Sequence, residues 1–150
     1  MTLREQVVEE ALTWLGTPYH HLACLKGVGV DCGRFLEGVG KVLGVIPASF
    51  TPATYSPQHH LHRREEVYRD YFLRMGCTIV PWEDMTPGVM ITFRLGHVVS
   101  HSGIYMPNNQ IIHAIAGRGV IMHAMQGAWV QRHDLCYDFP ALPVSEEPTP

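Results

Sequence analysis

The sequence predicts a single α+β domain over residues 1–150, in which N-terminal helices pack on a C-terminal antiparallel β-sheet. Apolar residues recur at helical spacing in three segments before residue 76. After it they alternate with polar residues in runs rich in β-branched side chains, which is typical of strands. A length of 150 residues is near the commonest domain size and suffices to bury a core. Helices followed by an antiparallel meander define the α+β class.

The first two helices carry recognisable start and stop residues. Thr2 is the expected N-cap of the first, with Glu5 three residues later completing a capping box, and Gly16 ends it. Asp31 is the expected N-cap of the second, whose apolar face continues until Gly44. Both helices are therefore predicted to bury one side against the sheet.

The remaining elements follow in order. A third helix is expected at about 62–75, after an irregular segment with three prolines at 45–61, while 17–30 is expected to be a loop. The proline-rich tail from about residue 140 is expected to be flexible or to act as a docking strap. Six strands are predicted, at 78–80, 89–94, 97–106, 110–116, 119–125 and 129–139, with a break in the last one expected near Asp134.

Composition excludes several classes of function. The net charge is −3 and the Lys and Arg residues are scattered, so the sequence lacks the basic patch that is typical of nucleic-acid-binding proteins. No apolar run approaches the roughly 20 residues that span a bilayer. Acidic residues in the N-terminal segment argue against a signal peptide, so synthesis in the cytoplasm is expected. The four cysteines are widely spaced in the sequence: Cys24, Cys32, Cys77 and Cys136. This spacing favours neither disulfides nor a zinc site, and no cofactor or metal is expected.

Cys32 is a candidate nucleophile because it follows the predicted N-cap Asp31. The first turn of a helix offers unpaired backbone N–H groups and a positive dipole end, which favour a thiolate. The same N–H groups can stabilise the oxyanion formed when sulfur attacks a carbonyl. A buried structural cysteine is the alternative interpretation of this residue.

His101 and His113 are expected to face each other across a hairpin. The turn lies at residues 107–109 (PNN), between two alternating runs. A register that pairs Tyr105 with Asn109 also pairs the two histidines on one face, with Cβ atoms about 4.5–5.5 Å apart. One imidazole can then orient the other as a base. The alternative is two strand histidines satisfied by polar neighbours.

The other histidines are less informative. A cluster at 59–62 favours a solvated cap on the third helix over a metal site, and His20 with His21 could line a groove or a surface turn. Three that stand singly are expected to be structural: His97, His123 and His133.

Taken together, the motifs resemble the NlpC/P60 superfamily of papain-like cell-wall peptidases, in particular its phage-tail and gene-transfer-agent branch. The resemblance covers about residues 5–139. Its pieces, in order, are ALTWLGTPY at 11–19, KGVGVDC at 26–32, PG at 87–88, HSGIY at 101–105 and IIHA at 111–114.

The resemblance implies a catalytic triad of Cys32, His101 and His113, with Tyr19 near the nucleophile to bind or polarise the substrate. Asp31 and Arg34, which flank Cys32, are two further candidate substrate-binding residues. It implies hydrolysis of amide bonds in peptidoglycan stem peptides, commonly between D-γ-glutamyl and a diamino acid. The protein would then work in a phage-like tail at the cell wall, with tail hub proteins as partners.

The sequence departs from the family pattern at two positions, and these departures bear on which substrate the protein binds. Gly33-Arg34-Phe35 follows the cysteine where a small residue, Gly and Leu are usual, and Val89 stands where an Asp is usual. Arg34 could bind a substrate carboxylate or point to solvent. A tail-hub component with the same fold and little activity is the alternative function; an acyl-transferring relative and, more remotely, a zinc enzyme are two more.

Overall fold

The computed structural model describes residues 1–51 and 65–141, and it confirms the α+β class. The helices are α1 (Leu3–Leu12), α2 (Cys32–Val42), α3 (Glu65–Arg74) and the short α4 (Ala128–Gln131). The strands are β1 (Cys24–Leu25), β2 (Gly29–Val30), β3 (Thr78–Val80), β4 (Met90–Leu95), β5 (Val98–Met106), β6 (Gln110–Ile115), β7 (Gly119–Ala124) and β8 (His133–Asp138). No helix in these two ranges is long and apolar enough to cross a membrane.

Both predicted N-caps are confirmed. The Thr2 side chain accepts a hydrogen bond from the backbone N–H of Glu5 at 3.2 Å, and the Asp31 side chain accepts one from Arg34 at 2.8 Å. Helix α1 ends at Leu12, four residues before the predicted stop at Gly16. The start expected for the third helix, at 62–64, lies outside the described residues.

One six-stranded antiparallel sheet has the order β3-β8-β4-β5-β6-β7. Strands β4 to β7 form the predicted meander. The last strand, β8, returns between β3 and β4, so the sheet is not a simple meander throughout. This return places the C-terminal strand in the interior of the sheet.

Two sequence predictions about the elements are wrong. The expected loop at 17–30 contains a small hairpin, β1 with β2. The strand expected at 129–139 begins later than predicted, because 128–131 form α4 and only His133–Asp138 are extended. Its pairing with β4 is irregular between residues 133 and 136, where the break near Asp134 was expected. Gly127 has a φ of +61°, a left-handed conformation that breaks a strand and begins this helical turn.

The helices and one face of the sheet enclose the main core, with Phe35, Phe72 and Ile104 at its centre. A smaller cluster, including Ile91, Phe93 and Ile111, lies on the opposite face. Helix α2 sits close to its neighbours because of its glycines. A Cβ on Gly38 would lie 2.5 Å from the Trp14 ring, which is closer than real contacts allow.

Candidate functional site

Cys32 is the first residue of α2, and Asp31 fixes that position. The Asp31 carboxylate is completely buried; Oδ1 accepts from the Arg34 amide at 2.8 Å and Oδ2 from the Leu22 amide at 2.7 Å. Two backbone donors thus occupy the carboxylate that caps the helix. Substrate binding by Asp31 stays a prediction, while its capping role is visible in the geometry.

The Cys32 sulfur contacts two groups that the sequence did not identify as part of a site. Sγ lies 3.3 Å from the Tyr68 hydroxyl of α3 and donates to the Ser100 carbonyl at 3.8 Å. The Tyr68 hydroxyl lies 2.8 Å from Ser102 Oγ, which donates to the Cys32 carbonyl at 3.3 Å. These contacts tie the start of α2 to α3 and β5.

Ser100 is the extra residue of a β-bulge. Along β4 and β5, Phe93 pairs with His101 and Arg94 with Val99, so Ser100 has no partner in this ladder. Its carbonyl instead accepts the thiol proton of Cys32. Bulges are common beside active sites because they change the direction of nearby side chains. This one lies directly before His101.

The thiol is the stable form of Cys32 in the resting protein. Burial, and then the Asp31 carboxylate, raises the pKa of Cys32 to about 12, although Tyr68 and the backbone N–H groups of Gly33 and Cys32 act in the opposite direction. The side chain is only 8% exposed. The first-turn N–H groups do lower the pKa of Cys32, as expected, but desolvation outweighs them and leaves the thiol as the favoured form.

His101 and His113 lie side by side, but not in the predicted register. The β5–β6 pairs are Ile104 with Ile112 and Met106 with Gln110, a shift of two residues from the expected pairing. A shift of two keeps side chains on the same face, so the histidines are diagonal neighbours. His101 Nε2 lies 2.8 Å from His113 Nδ1, and both residues are buried.

A third histidine, His123 of β7, extends this pair. Its Nε2 lies 2.8 Å from His113 Nε2, and its Nδ1 lies 2.9 Å from the Ala124 carbonyl oxygen. The sequence interpretation of His123 as structural missed this contact. The alternation of side chains along strands could have identified this contact, because residues 111, 113, 121 and 123 of the β6–β7 hairpin share one face of the sheet.

Trp129 of α4 packs against all three imidazoles. The ring centroids are 5.6 Å from His101, 4.7 Å from His113 and 5.7 Å from His123, and Phe93 lies 5.3 Å away. Burial lowers the pKa of His101 to about 4. Burial, followed by the charges of its neighbours, also lowers the pKa of His113. Both rings are therefore neutral near pH 7.

The other two predicted substrate contacts lie near the thiol. Tyr19 is half-buried and pairs with Val30 through its backbone; burial, and then Cys32 and Asp31, raises the pKa of its phenol. Arg34 is mostly buried, with Nη1 3.5 Å from Glu37. Its buried Nε has no hydrogen-bond partner among the described residues. Substrate contact by either residue stays a prediction.

The remaining histidines do not assemble into a site in the described part of the chain. His20 packs over Gly29, His97 is exposed, and His133 stacks on Trp82 with centroids 3.7 Å apart. His59, His60 and His62 lie outside the described residues. Within residues 1–51 and 65–141, no group of three or more His, Cys, Asp or Glu side chains is arranged to hold a metal ion.

The site thus joins a sulfur at a helix N-terminus to β5, the first of three adjacent strands (β5, β6 and β7) that each contribute one imidazole to a hydrogen-bonded chain. Ser102 faces α2 and α3, whereas the His101 ring packs on Phe93 and Trp129. In the described residues no hydrogen bond joins Cys32 Sγ to His101; the thiol is bonded to Tyr68 and Ser100. The candidate nucleophile Cys32, the candidate base His101 and its hydrogen-bonded partner His113 therefore all lie around one bulge.

Comparison with known proteins identifies similar chains. The model of the NlpC/P60 family matches residues 16–138. The "Murein DD-endopeptidase MepS/Murein LD-carboxypeptidase" of Escherichia coli (strain K12) is 26% identical over 133 residues, covering 88% of this chain and 61% of that protein. The chain therefore spans about three fifths of the length of this curated relative.

Solved structures show the same fold at lower identity. An NlpC/P60 family protein from Bacillus cereus ATCC 10987 superposes with a TM-score of 0.64 at 20% identity, over 91% of this chain and 40% of that one. The NlpC/p60 domain of the peptidoglycan hydrolase SagA gives a TM-score of 0.58 at 18% identity, over 89% of this chain and 96% of that domain.

Proposed function

The chain belongs to the NlpC/P60 family, and we propose that it is a cysteine endopeptidase that hydrolyses amide bonds in peptidoglycan stem peptides. One observation carries the proposal: Cys32 at the start of α2 contacts β5 at residue 100, directly before a base, His101, that is hydrogen-bonded to His113 at 2.8 Å. The printed names of the relatives, a murein endopeptidase and a peptidoglycan hydrolase, support the choice of substrate.

In the proposed mechanism Cys32 Sγ attacks the amide carbonyl and passes its proton to Nδ1 of His101. The new C–S bond converts the carbonyl into a tetrahedral oxyanion, which collapses to the thioester as the C–N bond breaks and His101 gives the proton to the leaving amine. Water then hydrolyses the thioester and restores the thiol. His113 holds the His101 ring in the orientation that these transfers need.

Proton transfer must happen during the reaction rather than before it, since burial stabilises neutral Cys32 and neutral His101. The thiol must also turn from the Ser100 carbonyl towards His101. Catalytic hydrogen bonds often shorten only when substrate binds. The backbone N–H of Cys32, in the first turn of α2, is the proposed oxyanion donor.

Mass spectrometry of purified muropeptides tests this proposal. The protein is incubated with monomeric stem peptides and, separately, with cross-linked dimers, because the Escherichia coli relative is named for cleavage of DD bonds. We expect a new pair of fragments whose masses sum to the parent plus one water. Cys32→Ala is the matched control. Cleavage that persists in this variant, or no cleavage of either substrate, would contradict the proposal.

The finer expectation, that the protein works in a phage-like or gene-transfer-agent tail, rests on the motif resemblance alone. Mass spectrometry of purified tail particles from a producing strain tests it. We expect the chain to co-purify with tail hub proteins; its presence only in the particle-free fraction would exclude a tail location.

A structural hub component with little activity is the second candidate function. The observation that favours it is the resting thiol, which is buried and bonded to Tyr68 and Ser100. A protein that binds tail particles but leaves both muropeptide substrates intact would support this role over the enzymatic one.

A further inference from the structure

We infer that His123 is a positioning residue that sets the tautomer of His101 through His113. This inference rests on the proposed function, since His101 needs a free lone pair on Nδ1 only if it accepts the Cys32 proton. The chain of contacts runs from His101 through His113 and His123 to a backbone carbonyl. Each link is a nitrogen or oxygen pair at hydrogen-bond distance.

The His123 end of this chain determines which nitrogen is the donor in each hydrogen bond. His123 Nδ1 lies 2.9 Å from the Ala124 carbonyl oxygen, and a carbonyl oxygen carries no hydrogen. The proton of this contact must therefore be on His123 Nδ1. In a neutral ring the other nitrogen, Nε2, is then an acceptor.

The same argument applies to the next two contacts, from His123 on β7 to His113 on β6 and from His113 to His101 on β5. His123 Nε2 lies 2.8 Å from His113 Nε2, so His113 Nε2 is the donor and His113 Nδ1 carries a lone pair. His113 Nδ1 in turn lies 2.8 Å from His101 Nε2, which is therefore the donor. The lone pair of His101 is left on Nδ1, the nitrogen that the mechanism uses.

The opposite set of tautomers is unfavourable. It would place the His123 Nδ1 lone pair against the Ala124 carbonyl oxygen at 2.9 Å, and it would put a hydrogen on His101 Nδ1. Without His123, His113 could donate from either nitrogen, so the pair of His101 and His113 alone does not fix the base. The contact of His123 with the Ala124 carbonyl therefore fixes the direction of the hydrogen bonds along the chain of three histidines.

The surrounding structure holds the three rings in this order. His113 and His123 are diagonal neighbours in the β6–β7 ladder, where Ile111 pairs with His123. Trp129 packs on all three rings, 4.7–5.7 Å between centroids, which restricts their rotation. Burial of His113 keeps it neutral, as the argument requires.

Two substitutions at one position separate hydrogen bonding from packing. His123→Gln keeps an acceptor near the place of Nε2, whereas His123→Phe keeps a flat ring without one. Hydrogen bonds that orient a metal-bound histidine are worth about 10- to 100-fold in activity. We expect His123→Phe to lower kcat on muropeptides by about tenfold with little change in KM. His123→Gln should recover most of that loss.

The tautomers themselves are read by long-range ¹H–¹⁵N NMR on the full chain at pH 7.5, which requires no substrate. We expect Nε2–H on His101 and His113, Nδ1–H on His123, and a mixture at His101 in His123→Phe. Nδ1–H on His101 in the unaltered chain, or unchanged tautomers and kcat in His123→Phe, would overturn the inference. If the unaltered chain cleaves no muropeptide, the proposed function fails while the NMR result still decides the tautomers.

Discussion

Gly103 offers a test of the active-site geometry that changes no polar group. It pairs with His113 in the β5–β6 ladder as extended from the observed register, and a Cβ built on it would lie 3.0 Å from His113 Cβ and 2.9 Å from Ile111 Cδ1. Carbon atoms normally approach to about 3.5–4.0 Å, so Gly103→Ala forces a displacement of roughly 0.5 Å. Overpacking of this kind costs about 1–3 kcal/mol in the free energy of unfolding.

The same displacement is expected to reduce activity. It moves His113 relative to His101, whose Nε2 lies 2.8 Å from His113 Nδ1. A misplacement of about 1 Å can cost about 100-fold in rate, so we expect about a tenfold loss of kcat/KM for Gly103→Ala. Urea denaturation measures the stability, and muropeptide cleavage at a temperature where the variant is folded measures the rate. A kcat/KM within twofold of the unaltered chain would refute the reasoning.

Two control variants make the result specific. Gly117→Ala introduces the same methyl group at a φ of +82° with no atom within 4 Å, and it should lose about 1–2 kcal/mol of stability without losing activity. In the double variant Gly103→Ala with Ile111→Val, the Cδ1 contact is removed, while the contacts with Cγ1 of residue 111 and with His113 Cβ, both at 3.0 Å, remain. We expect partial recovery of stability without recovery of activity; full recovery of both would assign the effect to Ile111.

Four more predictions concern Cys32, the two histidines and Tyr68. Cys32→Ala should fold, as judged by circular dichroism, and lose all muropeptide cleavage, and His113→Ala should lose less kcat than His101→Ala because orientation contributes less than proton transfer. Burial lowers the pKa of His101 to about 4, so kcat/KM should stay level from pH 8 to 6 and fall only as His101 is protonated near pH 4; a midpoint near 6.5 would contradict this. Tyr68→Phe removes a hydroxyl that lowers the pKa of Cys32, so iodoacetamide should alkylate Cys32 more slowly; an unchanged rate would show that the 3.3 Å contact does not affect the thiol.

The sequence predicted those parts of the fold that depend on local chemistry. Thr2 and Asp31 cap helices because a short side-chain oxygen next to an amphipathic run satisfies the first backbone N–H groups, whatever the rest of the chain does. The alternation after residue 76 predicted most strands to within one or two residues. The return of β8 between β3 and β4 is set by long-range pairing, which local patterns do not contain.

The register of the β5–β6 hairpin could not be predicted from the local sequence pattern. Asn108 and Asn109 both adopt left-handed conformations, with φ of +61° and +54°, so the loop contains three residues and Met106 pairs with Gln110. The expected register, with Tyr105 opposite Asn109, centred the turn on Pro107, whereas the observed turn is centred on Asn108. Because the error was two residues, the prediction that His101 and His113 share a face survived it.

Other parts of the site could not be found from residue types alone. Burial of the Cys32 thiol depends on α3 and β5 packing over the start of α2, and the Ser100 bulge depends on the pairing of β4 with β5. Trp129 reaches the histidines because α4 interrupts the expected last strand. Each of these features comes from segments that are distant in sequence.

Trapping of an acyl-enzyme tests the central claim, that Cys32 is the nucleophile, most directly. The chain is mixed with muropeptides, quenched in acid within seconds and digested with trypsin, which releases Cys32 in the peptide 27–34 (GVGVDCGR). We expect the mass of the acyl fragment on this peptide, and its absence from the peptides that carry Cys24, Cys77 and Cys136. Cleavage that proceeds with no adduct on peptide 27–34, or with an adduct on another cysteine, would contradict the account.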